Sequence, residues 1–256
     1  LTMKFNAKTF LKTFCILWIA TLMVSHSVYA QDYQAQAPTW VEREVVASVI
    51  AVDLIPGLEK LYLLDPLKQP LGEFKMRALM YGRPFTCTSF DGMLYFGIAD
   101  GIDANGKPKY KPVATASVPV QIGRLSLIFV PSDVLTGRSD GQIHYQVQVF
   151  DSSLEAFPLA STHVINLLPT QMVLKIGEEK RAVPGGQSIL IDDVSSLDSF
   201  NMADVSFFYR AGEKWNILKQ SKIRYLPSIR YTAVAYFNTR VRKPTIVFVR
   251  DGGRMQ

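Results

Sequence analysis

Ile143-His144-Tyr145-Gln146-Val147-Gln148-Val149-Phe150 alternates residue by residue, with Ile143, Tyr145, Val147 and Val149 on one side and His144, Gln146 and Gln148 on the other. A period of two marks a strand with one dry and one wet face. His144 then reads as an exposed strand residue rather than a ligand. Working outward, residues 125–130 precede it as another apolar strand. Residues 93–98 and 110–120 flank Asn105-Gly106, a pair that supplies the positive dihedrals of a hairpin turn. Residues 72–79 and 60–64 repeat the short-strand pattern, and 45–52 is almost continuous Val, Ile and Ala, as in a strand covered on both faces.

The C-terminal half reads the same way. Residues 162–167, 172–176 and 187–191 are short strands, with Pro184-Gly185-Gly186 as a turn. Residues 204–210 and 214–219 surround Ala211-Gly212-Glu213, a second hairpin signal, and 231–237 and 245–250 close the chain. Few windows keep a 3.6-residue period; 195–202 is one short helix or an irregular crossing. The expected fold is therefore all-β: an antiparallel β-sandwich, Ig-like or related, with two sheets sharing a core about 10 Å thick. The turn-rich stretch 131–142 would divide residues 43–256 if there are two tandem sandwich domains. Val49-Ile50-Ala51-Val52-Asp53-Leu54-Ile55-Pro56 is echoed by Val164-Ile165-Asn166-Leu167-Leu168-Pro169. Duplication and chance similarity between hydrophobic strands both account for that echo.

The N-terminal 30 residues have another character. Lys4, Lys8 and Lys12 precede an apolar run from Phe14 to Val24, and Val28-Tyr29-Ala30 stands before Gln31. A charged region, a short apolar region and a small-residue cleavage site make the pattern of a secretory signal peptide over residues 1–30. The run is short for a membrane span, so no stable span is expected after cleavage. Residues 31–42 read as a short polar tether, and the expected location is extracytoplasmic, periplasmic or secreted.

Loss of the three leader lysines lowers the formal charge from +6 to +3, which gives little reason to expect a nucleic-acid partner. Residues 212–256 carry ten Lys or Arg against two acids, a net of +8, and so leave −5 for residues 31–211. Sheet edges commonly carry such cations to block edge-to-edge pairing; an anionic envelope component is the functional alternative. Aromatic residues lie among these charges. Trp215, Lys219, Lys222, Arg224 and Tyr225 form the candidate interaction surface, since Tyr and Trp beside cations suit a sugar ring or a partner protein.

Chemistry-bearing signals are sparse. Cys87 is the one cysteine beyond the leader, so no intramolecular disulfide can form there, and its alternating context reads as a small buried hydrophobe. Asp103 and Asn105 offer oxygen ligands for calcium, yet Pro112 stands where an EF-hand needs its bidentate carboxylate, and a hydrated turn explains the stretch equally. Asp192, Asp193, Asp198 and Asp204 have no tight ligand spacing. No Gly-x-Ser-x-Gly elbow, His-Glu-x-x-His helix or phosphate loop occurs. The expectation is no enzyme, no metal site and no cofactor.

The segment from Phe157-Pro158 through Val164-Ile165-Asn166-Leu167 to Val183-Pro184-Gly185-Gly186 resembles uncharacterised secreted bacterial proteins with Ig-like β-sandwich architecture. The resemblance implies an all-β envelope protein and carries over no catalytic or binding residue. The expected function is a non-enzymatic extracytoplasmic interaction or structural protein of the bacterial cell envelope, with an envelope protein or glycan as partner. The alternatives are a carbohydrate-binding module and a hydrolase acting on an envelope polymer.

Overall fold

The computed structural model describes residues 39–132, 145–192, 194, 196–238 and 241–252. The leader, most of the tether, His144 and Asp193 lie outside the described residues. Every described element is a strand. The first eight are β1 (Glu42–Ala51), β2 (Lys60–Leu64), β3 (Pro70–Lys75), β4 (Phe85–Phe90), β5 (Met93–Ile102), β6 (Pro108–Ser117), β7 (Arg124–Pro131) and β8 (Tyr145–Asp151). The second eight are β9 (Thr162–Asn166), β10 (Met172–Ile176), β11 (Glu179–Val183), β12 (Ser188–Ile191), β13 (Met202–Ala211), β14 (Lys214–Arg224), β15 (Arg230–Asn238) and β16 (Lys243–Asp251).

These strands form sheets that are mixed or antiparallel, and none closes into a barrel. One four-stranded sheet runs β12-β9-β15-β16 and another β11-β10-β13-β14. The first eight strands follow the same two orders, β4-β1-β7-β8 and β3-β2-β5-β6, joined into one sheet where Phe90 meets Met93 at the β4–β5 turn. The strand directions recur too. β1 is antiparallel to β4 and parallel to β7, as β9 is antiparallel to β12 and parallel to β15.

Burial follows the alternation. Val45, Val49, Leu125, Leu127 and Phe129 share one buried cluster with Leu61, Leu63 and Phe96, drawing on both strand orders of the first half. Val164, Ala233 and Ile246 share a second with Leu174, Val205 and Phe207. The continuous apolar run of β1 has its cause in a third cluster. Ile50, Val52, Ile128 and Val130 from the first half meet Ile165, Val234, Tyr236 and Val249 from the second. β1, β7, β9 and β15 are thus covered on both faces, which removes the polar alternation a half-exposed strand would show. Residues 196–202 form no helix. The Asp198 carboxylate instead accepts the Phe200 and Met202 amides at 2.9 and 3.0 Å in a tight turn.

Candidate functional site

Among the described residues β14 is an edge strand, paired with β13. Gly212, with a φ of +62°, gives the tight turn between them, which lets Ala211 pair with Lys214. Register then fixes the faces. Phe207 is buried, so Phe208 and Arg210 point outward, and their partners Ile217 and Trp215 do the same. Across the sheet, Val173 pairs with both Phe208 and Ala182. The outer face therefore carries an apolar row, Ala182, Val173, Phe208 and Ile217, ending beside Trp215. Ile217 is 60% exposed and Trp215 46%. The next row is basic and polar: Lys180, Lys175, Ser206 and Gln220 in register.

Of the five residues expected to form the surface, three lie on this face. Trp215 crowns the apolar row; Lys222 and Arg224 lie further along β14. Lys222 is partly neutralised by Asp204 at 3.8 Å and Asp198 at 4.0 Å. Lys219 projects to the other side, because a bulge between Phe207 and Phe208 shifts the register, and its ammonium lies 5.2 Å from the centre of the Phe248 ring. Tyr225 is buried, and its hydroxyl accepts a hydrogen bond from Thr162 at 3.3 Å. It holds the core together and offers no contact surface. Phe208, Val173, Lys175 and Lys180 complete the face, and the sequence signal for them was parity: with Phe207 inside, Phe208 must face out.

The other sequence candidates resolve into structural roles. The Asp103 carboxylate accepts the Asn105 and Lys107 amides, each at 2.8 Å, and so shapes the β5–β6 turn. Among the described residues, no group of three or more His, Cys, Asp or Glu side chains converges. Burial pushes the Cys87 thiol up to about 11, which leaves it protonated and unreactive at neutral pH. His163 is wedged against Phe150 and Phe157, with ring centres 4.7 and 5.7 Å away, and burial pushes it down to about 4. Arg230 and Asp251 form a buried pair at 2.7 Å, and the guanidinium also donates to the Phe157 carbonyl and covers the Phe157 ring.

No helix among the described residues is long and apolar enough to cross a membrane. No family model matches this chain, and no curated protein matches it.

Proposed function

We propose that this chain is a non-enzymatic extracytoplasmic interaction or structural protein of the bacterial cell envelope, built as two tandem β-sandwiches. The recurrence of both strand orders and of one parallel pair in each half supports the tandem reading. Because β7 and β8 pair across the segment 132–144, the domain boundary belongs between β8 and β9, in residues 152–161. Each sandwich has its own strand order: β1 lies between β4 and β7, whereas an immunoglobulin sheet pairs its first strand with its second. Duplication supplies the reason for the echo between Val49-Ile50 and Val164-Ile165.

The observation that carries the functional reading is the outer face of β14. A free strand edge beside exposed Trp215 and Ile217, with Lys175 and Lys180 in the adjoining row, suits strand addition by an extended acidic polypeptide. Backbone hydrogen bonds would supply affinity, and alternate side chains of the partner would meet the apolar row. The charged leader pattern in residues 1–30 supports an encounter in the envelope.

The test is site-specific photocrosslinking from position 217 in the native envelope. A saturable protein partner that is lost in Trp215→Ala and weakened by salt supports the reading. Attachment to glycan alone, or a partner retained with unchanged yield in that variant, refutes it.

A further inference from the structure

The two halves differ where β3 passes to β4. That connection has nine residues, 76–84, whereas its counterpart between β11 and β12 has four, 184–187. The longer loop is pinned at several points. Leu79 and Gly82 donate their amides to the Ala51 and Val49 carbonyls, both at 2.9 Å, and Ala51 donates to Arg77 at 3.3 Å. The Tyr81 hydroxyl reaches across to the second half, 2.7 Å from the Thr232 hydroxyl. A loop held this way is a preformed wall.

Two cavities open on either side of it and share Tyr81, Gly82, Arg83 and Pro84. The first, about 560 Å³, lies between the β3 and β4 edges, with Val49, Leu63, Phe74 and Phe85 as apolar lining and Lys75, Arg77 and Arg83 as cations. The second, about 920 Å³, adds Met80, Phe248 and Arg250. Volumes of this size suit a small molecule. The carboxylates in the lining are already engaged: Glu73 with Lys60 at 2.5 Å, and Asp251 with Arg230 at 2.7 Å. Lys75, Arg77, Arg83 and Arg250 have no carboxylate partner among the described residues.

We propose that the first of these cavities binds a small amphipathic anion, a carboxylate or phosphate head on an apolar body. The arginine forks match the planar or tetrahedral oxygens of the head. The apolar body replaces water against Phe74, Phe85 and the floor between the sheets. The four-residue β11–β12 connection builds no such wall among the described residues, so one anion is expected per chain.

Binding of 1-anilinonaphthalene-8-sulfonate, itself an amphipathic anion, reports occupancy of the groove by fluorescence. Laurate and dodecyl phosphate should each displace it saturably, at one site. The variant Arg77→Ala/Arg83→Ala should bind all three roughly tenfold or more weakly, the worth of one charge-assisted hydrogen bond or more. These arginines are exposed, so the variant should keep its thermal midpoint. Trp215→Ala, on the outer face of β14 and outside the lining of either cavity, should leave binding unchanged, so failure of the β14 reading and of this one are separable. Unchanged affinity in the double variant overturns the proposal. So does equal displacement by the uncharged dodecyl maltoside, by inorganic phosphate alone, or loss of the signal in Trp215→Ala.

Discussion

Arg230 is 1% exposed, the largest of the fully buried side chains. A buried charge is tolerable only when paired and hydrogen-bonded, and here Asp251 and the Phe157 carbonyl provide that. Arg230→Met removes the cation paired with buried Asp251, at a cost of about 3–5 kcal/mol in urea unfolding. The double variant Arg230→Met/Asp251→Leu should recover most of that loss; no recovery would mean that packing, not charge, dominates. His163 gives a pH dependence of known sign. Its folded-state value, about 4, lies below the ordinary 6.5, so between them the unfolded chain binds more protons. Stability from this residue is complete above about pH 6.5 and falls as pH drops toward about 4, by roughly 2–3 kcal/mol. Thermal midpoints of the wild type and His163→Gln, measured from pH 7 to pH 4, should converge as pH falls; parallel curves would assign the acid sensitivity elsewhere.

At the level of the element, most strands were legible because alternation and turn chemistry are local. The 60–64 and 172–176 strands are read to the residue, and Asn105-Gly106 marks its hairpin, with Gly106 at a φ of +77°. β11 escaped the reading because Glu179-Lys180-Arg181-Ala182-Val183 is a charged edge strand with only Val183 buried. β14 extends to Arg224, five residues beyond the expected end and past a bulge at Leu218. Of the candidate surface, Trp215 was visible as an aromatic beside a turn. Lys219 and Tyr225 were grouped with it by residue type, and type does not fix a face: the bulge turns Lys219 to the other side, and Tyr225, just past the end of β14, is buried. The exposed face of β14 also has a stability consequence. Ile217→Ser removes little buried area, so it should change unfolding free energy by less than about 0.5 kcal/mol. A loss of more than about 1 kcal/mol in denaturant melts would show that this face is packed rather than displayed.

On the scale of the whole molecule, the third cluster is built from matching positions. With Val49 set against Val164, Ile50 matches Ile165 and Val52 matches Leu167. Across the parallel pairs, Ile128 then matches Val234 and Val130 matches Tyr236. The Val52 amide donates to the Phe129 carbonyl just as the Leu167 amide donates to that of Ala235, at 2.9 and 2.8 Å. The two halves thus meet through the same patch of each, the arrangement of an isologous dimer written into one chain. No sequence signal short of the faint echo pointed to this, because the pairing of β1 with β7 and of β9 with β15 is remote along the chain. Each apolar side chain in that patch is worth about 1.5–3 kcal/mol when buried. Ile128→Ala should therefore cost about 2–5 kcal/mol. Calorimetry should show one unfolding transition in the wild type and two in Ile128→Asp, which severs the coupling without emptying either inner core. Two transitions in the wild type would show that the halves unfold independently.

The parallel pairs also govern how the chain reaches this state. Val46 waits for Arg124 and Ser48 for Ser126, so β1 has its β7 neighbour only after five further strands have been made. β9 waits likewise for β15. Closing such long loops costs entropy before any contact repays it, and domains dominated by distant pairings fold in milliseconds to seconds rather than microseconds. During synthesis β1 and β9 are therefore made first in their halves and are among the last strands enclosed. An intermediate with β1 uncovered, its Val45–Val52 run open to any passing strand edge, is the form of this protein most exposed to aggregation, and the one a holdase would meet.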